Sequence, residues 1–211
     1  MRARFPALRF PALNLVLALV IGVIGYPVGR AAAEAAPIAE PPDKMPKNRA
    51  DQGRSIEFLF EALKAAPDDE SAKLVENRIW ALWFASGSDT ADLLMSRVKT
   101  ATDAKELDLA IEILDKIVAI KPDYVEAWNR RATVYFMKKD YGRSVADIAQ
   151  VLSREPRHFG ALTGLGTILQ ELGDDRHALE IYRRALAVHP RLQKVPDIIK
   201  TLSEKVEGRD I

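Results

Sequence analysis

The amino-acid sequence predicts an all-α protein, a right-handed α-solenoid of stacked helical hairpins closed by a C-terminal capping helix. Three observations predict it. From residue 50 onward apolar residues recur at helical spacing, and no run sustains the two-residue alternation of a half-buried strand. Pro122, Pro156 and Pro190 recur at an interval of 34 residues. Aligned on those prolines, small and large side chains return in the same order. A unit that holds only two helices cannot bury its own apolar faces, so such units must stack.

The chain opens with a different grammar. Arg2, Arg4 and Arg9 precede an apolar run from Leu13 to Tyr26; Pro27 and Gly29 break it before the small residues of AAAEAA. This is the three-part pattern of a secretory signal, so residues 1–33 are expected to be a signal peptide cleaved after Ala33. The alternative is a retained anchor, although the run is short against the about 20 residues of a membrane span. Cleavage would remove four arginines and no acid, turning the formal charge of +1 into −3. Residues 34–49 are rich in proline and charge and read as an extended linker. The near-neutral balance argues against a chain held to nucleic acid by its phosphates. The absence of cysteine excludes disulfides and thiolate metal sites.

Residues 50–87 read as a divergent first helical hairpin with a break at Pro67. Its second helix carries Leu74, Val75, Ile79, Leu82 and Trp83 on one side and Trp80 and Phe84 on another. A helix apolar on two sides is expected to be buried on two sides. An interface, including a homodimer through this aromatic hairpin, is the alternative.

Three units follow, 88–122, 123–156 and 157–190. Two helices that cross at about 8–10 Å need small side chains at the crossing. Val98, Ala132 and Gly166 supply them on the first helix, and Ala110, Ser144 and Ala178 on the second. Leu94, Trp128 and Leu162 coincide, as do Ala101, Tyr135 and Leu169, and Leu114, Ile148 and Tyr182. Asp140 and Asp174 are placed to cap the second helices, and Gly173 to close a first helix in a left-handed turn. Each proline ends a second helix. After Pro190, Ile198, Ile199, Leu202 and Val206 form one face of a helix within 191–211 that covers the last open apolar surface.

Residues 88–192 resemble tetratricopeptide repeats, with the unit at 88–122 degenerate. The resemblance is carried by AW…AxxYF…DYxxSxxDIxxVLxxEP from Val125 and by ALxxLG…LGDxxxALxxYxxALxxxP from Phe159. Arg97 and Arg131 depart from it, since they stand where Leu165 stands and the family has leucine. They are expected to lay their stems on the core and pair with acids, with Asp115 and Asp147 as partners; a basic contribution to a ligand surface is the alternative.

The resemblance implies a concave face, lined by the first helices, that holds a protein or peptide partner. Carried over residue by residue, its lining is Asp92, Met95, Lys99 and Thr102, then Glu126, Asn129, Thr133 and Phe136 beside Arg130 and Met137, then Gly160, Thr163, Thr167 and Gln170 beside Gly164. Gly160, Thr163, Gly164 and Thr167 would make a shallow wall. Asn129 and Arg130 would offer donors to a carboxylate or carbonyl, and Phe136 and Met137 would receive an apolar side chain.

Catalysis is not expected. His158, His177 and His189 share no helix face, and no serine motif, metal pattern or phosphate-cradling loop is present. No cofactor, metal or nucleic acid is implied. The expected role is an exported, periplasmic scaffold that binds a protein partner in a bacterial cell envelope. A membrane-anchored accessory subunit is the alternative if the N-terminal segment is kept, and an enzyme of unrecognised type is a more distant one.

Overall fold

A computed structural model describes residues 49–208 of the chain, with side chains from Ser55 onward. The expected signal peptide and nearly all of the linker lie outside the described residues. Those described form nine α-helices: α1 Arg49–Ala65, α2 Asp69–Phe84, α3 Asp89–Asp103, α4 Leu107–Ile120, α5 Val125–Met137, α6 Tyr141–Arg154, α7 Phe159–Glu171, α8 Asp175–Val188 and α9 Val195–Val206.

Helices α3–α4, α5–α6 and α7–α8 form antiparallel pairs, and the second helix of each pair packs on the first helix of the next. Pro122, Pro156 and Pro190 each lie two residues beyond the end of a second helix. Asp140 accepts from the Arg143 N–H at 3.1 Å and Asp174 from the His177 N–H at 3.3 Å, capping α6 and α8. Each such cap contributes about 1 kcal/mol. The turns between paired helices share one geometry. The N–H groups of Glu106, Asp140 and Asp174 reach back to the carbonyls of Ala101, Tyr135 and Leu169 at 2.8–2.9 Å. This closure needs a left-handed residue. Gly173 supplies it with φ +80°, and Lys105 and Lys139 adopt it at φ +61° and +60°.

Small residues sit at the crossings. Ala110 and Ala178 are wholly buried, and Ala132 nearly so. The Ser144 hydroxyl donates to the Ala132 carbonyl at 2.8 Å, so its polar atom is satisfied where α5 and α6 touch. A Cβ at Gly166 would lie 2.8 Å from the Tyr182 ring, which fills the crossing of α7 and α8. Leu162, Tyr135 and Tyr182 are buried, whereas Leu94 and Trp128 are only partly so. Trp128 touches two layers of core, and its indole N–H donates to the Pro122 carbonyl at 3.0 Å. At the far end α9 covers Leu179, Tyr182 and Leu186 with Val195, Ile198, Ile199 and Leu202.

The N-terminal pair is where the structure departs from the simplest reading of the sequence. Helices α1 and α2 form a hairpin, but it does not extend the stack: α2 packs against α5, and the principal partner of α3 is α4. The physical reason lies on α3. At three repeat positions a first helix faces the pair before it. In α5 these are Ala127, Arg131 and Val134, and in α7 Ala161, Leu165 and Ile168, mostly buried. In α3 they are Leu93, Arg97 and Thr100, all exposed. An arginine and a threonine make a solvated end face, so no apolar seat for a preceding hairpin exists there.

Candidate functional site

Helix α2 instead runs across the stack, along the N-terminal ends of the first helices, where the concave lining was expected to be open. Asp69, at its start, pairs with Arg191 beyond α8 at 2.8 Å. About two turns on, Glu76 accepts from the Trp80 indole at 3.2 Å and faces His189 at 3.5 Å. Trp83 lies flat on His158, with ring centroids 4.0 Å apart, and Trp80 meets Phe159 edge-on at 5.4 Å. Phe84 ends the helix under the Arg130 guanidinium at 4.8 Å, and its carbonyl accepts from Tyr124 at 2.8 Å. The two apolar sides of α2 are thereby both covered. One packs on Leu59, Phe60 and Leu63 of α1, the other on Phe159, Val188 and Leu192 of the stack.

Gly160 lies directly beneath this helix. A Cβ there would sit 2.8 Å from the outer edge of the Trp80 ring. The expected shallow wall is thus occupied at Gly160 by the chain's own tryptophan.

Asn129 and Arg130, expected as donors to a partner's carboxylate, already hold one. Asn129 Nδ2 donates to Glu126 Oε2 at 3.0 Å, and Arg130 Nε donates to Glu126 Oε1 at 2.6 Å. Glu126 is fully buried and Arg130 nearly so. Burial alone would raise the Glu126 carboxyl pKa, but Arg130 and then His158 offset it and hold it below the ordinary glutamate value. His158 completes the arrangement. Its Nδ1 accepts from the Ala161 N–H at 3.0 Å, capping α7, so Nε2 carries the ring proton and faces Glu126 Oε2 at 3.4 Å. These two donors are structural, because the acid one turn earlier on their own helix reaches them first.

The C-terminal halves of the same helices are not covered by α2. Lys99 is exposed and pairs with Asp103 on its own helix at 3.0 Å. Thr133 and Thr163 return their hydroxyls to carbonyls four residues back. Phe136 packs on Tyr141, ring centroids 5.8 Å apart, and Met137 beside it is exposed. Tyr182 donates to Gln170 at 2.7 Å and lies 3.1 Å from the Thr167 hydroxyl. By repeat register Lys99, Thr133 and Thr167 fall in one line and Phe136 and Gln170 in another, beside Met137; this strip has Lys99 and Met137 exposed and the other four partly buried.

Arg131 behaves as the sequence suggests. It grips Asp147 with two bonds of 2.8 Å, reaches Asp115 on the preceding pair at 2.6 Å and lies over the Trp128 ring. Arg97 faces solvent on the free end of the stack. The three histidines are a buried cap of α7, an exposed partner of Asp174 and the residue that ends α8. Among the described residues no group of three or more histidines and acids is disposed to hold a metal ion.

Comparison with known proteins agrees with this architecture. A tetratricopeptide repeat model matches residues 159–191. A TPR repeat-containing protein of Rhizobium etli is 38% identical over 196 residues, covering 92% of each chain. Among solved structures, the first tetratricopeptide domain of Spaghetti bound to an HSP90 peptide superposes with a TM-score of 0.54 at 19% identity, over 57% of this chain and 95% of that one. The tetratricopeptide domain of Sgt2 from Aspergillus fumigatus gives 0.53 at 20% identity, over 57% and 81%. The TPR2B domain of yeast Sti1 in its complex with pHsp70 gives 0.52 at 14%, over 56% and 99%. With the 34-residue register, the stacked pairs and a relative of this identity along nearly its whole length, the chain belongs to the tetratricopeptide repeat family.

Proposed function

We propose that this protein is an exported scaffold of a bacterial cell envelope that holds an extended segment of a protein partner on the strip beside α2. The observation that carries the proposal is the division of the first-helix face. Its N-terminal half is filled by α2, while Lys99 and Met137 stay exposed and Thr133, Phe136, Thr167 and Gln170 stay partly exposed. Curved faces of stacked helical pairs are binding surfaces that need little ordering of their own. The Spaghetti domain, whose fold this chain shares, is seen bound to an HSP90 peptide, and the Sti1 domain in a complex with pHsp70. Export rests on the basic, apolar and small-residue sections of residues 1–33.

The test is a photo-crosslinking residue placed at Met137, at Gln170 or at Lys116 on α4, in living cells that produce the intact chain. The proposal expects one partner captured from Met137 and Gln170 and not from Lys116. Equal capture from all three positions would remove the strip as the site. Intact mass of the purified protein decides between the cleaved signal and the anchored form.

A further inference from the structure

The surface beneath α2 combines apolar packing with histidine rings and a guanidinium. It is recessed at Gly160, faced by the rings of His158, Phe159 and His189, and closed at one end by Arg130 over Phe84. Among the described residues, the buried nitrogens Trp83 Nε1 and His189 Nδ1 lack a hydrogen-bond partner, and His158 Nε2 meets Glu126 only at 3.4 Å, outside good hydrogen-bond geometry. Trp83 and His189 lie on opposite sides of the contact between α2 and the stack. A buried donor or acceptor without a partner forfeits the hydrogen bond that water would give it. The closed arrangement is therefore weakened where α2 meets the stack, and each of these groups gains a water on opening.

Beside the apolar packing and the buried Tyr124–Phe84 bond, the hairpin is held by bonds at the rim. Arg157 donates to Glu57 of α1 at 2.7 and 2.8 Å. Arg191 donates to Asp69 and to the carbonyls of Ala66 and Pro67 in the turn between α1 and α2. The connection to α3 is short and contains Gly87 at φ +68°.

We infer that the face formed by the starts of α5 and α7 and the end of α8 is a helix-binding site, and that the α1–α2 hairpin is its displaceable resident. The resident defines what fits. A competing partner presents an amphipathic helix with a carboxylate to meet His189 and aromatic rings four, seven and eight residues later, as Glu76, Trp80, Trp83 and Phe84 do. The inference rests on the protein-binding reading only for the existence of such a competitor.

Native-state hydrogen exchange on the full chain tests it, with and without an excess of a synthetic peptide of residues 68–86. Amides of α1 and α2 should exchange through a local opening, faster than those of α5–α8. The peptide should speed exchange of α1 and α2 while the first turn of α7 stays protected. Arg191→Ala, which removes rim bonds alone, should speed α1 and α2 about tenfold or more and leave α5–α8 unchanged. If α1 and α2 open only with the whole molecule, or if the peptide changes nothing, the inference is overturned. Neither readout uses the strip at Met137 and Gln170, so failure of the crosslinking test would leave this result intact, and the reverse.

Discussion

Replacing Gly160 by alanine separates two placements of the N-terminal hairpin by the sign of one number. On an open first-helix face the substitution should stabilise, because glycine in a helix forgoes about 0.5–1 kcal/mol relative to alanine. In the observed arrangement the new methyl would lie 2.8 Å from one atom of the Trp80 ring and 3.2 Å from the next. The ring cannot swing away freely, since it is held among Trp83, Phe84, His158 and Phe159 at centroid distances of 5.2–5.8 Å. Overpacking of this kind costs about 1–3 kcal/mol. The net expectation is a loss of about 1–2 kcal/mol, with faster exchange in α1 and α2. Gly164, one turn further along α7, is the control. Its nearest neighbour would be Ile148 at 3.9 Å, an ordinary contact, so Gly164→Ala should stabilise by up to about 1 kcal/mol. Urea unfolding followed by tryptophan fluorescence measures both. If Gly160→Ala stabilises as much as Gly164→Ala, α2 does not lie where the structure places it.

Other expectations follow from the same contacts. Arg130→Ala leaves Glu126 buried without its partner and should cost about 3–5 kcal/mol in urea unfolding; a loss below about 1 kcal/mol would mean that Glu126 is hydrated. Trp128→Ala should cost about 2–4 kcal/mol, less than a wholly enclosed tryptophan, because the ring is only partly buried; an effect within about half a kcal/mol would put the repeat register in doubt. Glu126 and Glu76 both have carboxyl pKa values below the ordinary 4.5, Glu76 because His189 and Lys73 offset the effect of its burial. The unfolded chain then binds these protons more readily. Their contribution is complete above the unfolded value and is lost as pH falls through the lower folded ones. The urea midpoint should hold between pH 7 and about 5 and decline below that, and Glu126→Gln should flatten the decline. A midpoint that rises toward pH 4 would contradict the charged state assigned to Glu126.

Much of the stack was legible because its signals are local and repeated. Pro122, Pro156 and Pro190 marked helix ends; Asp140 and Asp174 marked caps; Arg131 pointed to Asp115 and Asp147. The seat of α2 was not legible in that way. Its two apolar sides required two covered faces, but nothing local to residues 69–84 names Gly160, His158 and His189 as the cover. One signal pointed there. Leu93, Arg97 and Thr100 occupy positions that face the preceding pair in the other units, and their polarity leaves the end of the stack without a seat. A second signal bears on the expected donors. Glu126 stands three and four residues before Asn129 and Arg130, the spacing at which helical side chains meet. Groove chemistry carried over from a family is therefore reliable only after each polar residue has been checked against the acids on its own helix.

The open strip, the buried Glu126 cluster and the displaceable hairpin are all defined by α2 lying along the first-helix face. The most direct measurement is nuclear Overhauser contact between the Trp80 indole and the Gly160 α-protons in the folded protein. Strong contacts are expected, with the Gly160 α-protons shifted by the ring current of Trp80. Unshifted Gly160 α-protons, with Trp80 in contact instead with Leu93 and Arg97 on α3, would contradict this placement and return the hairpin to the end of the stack.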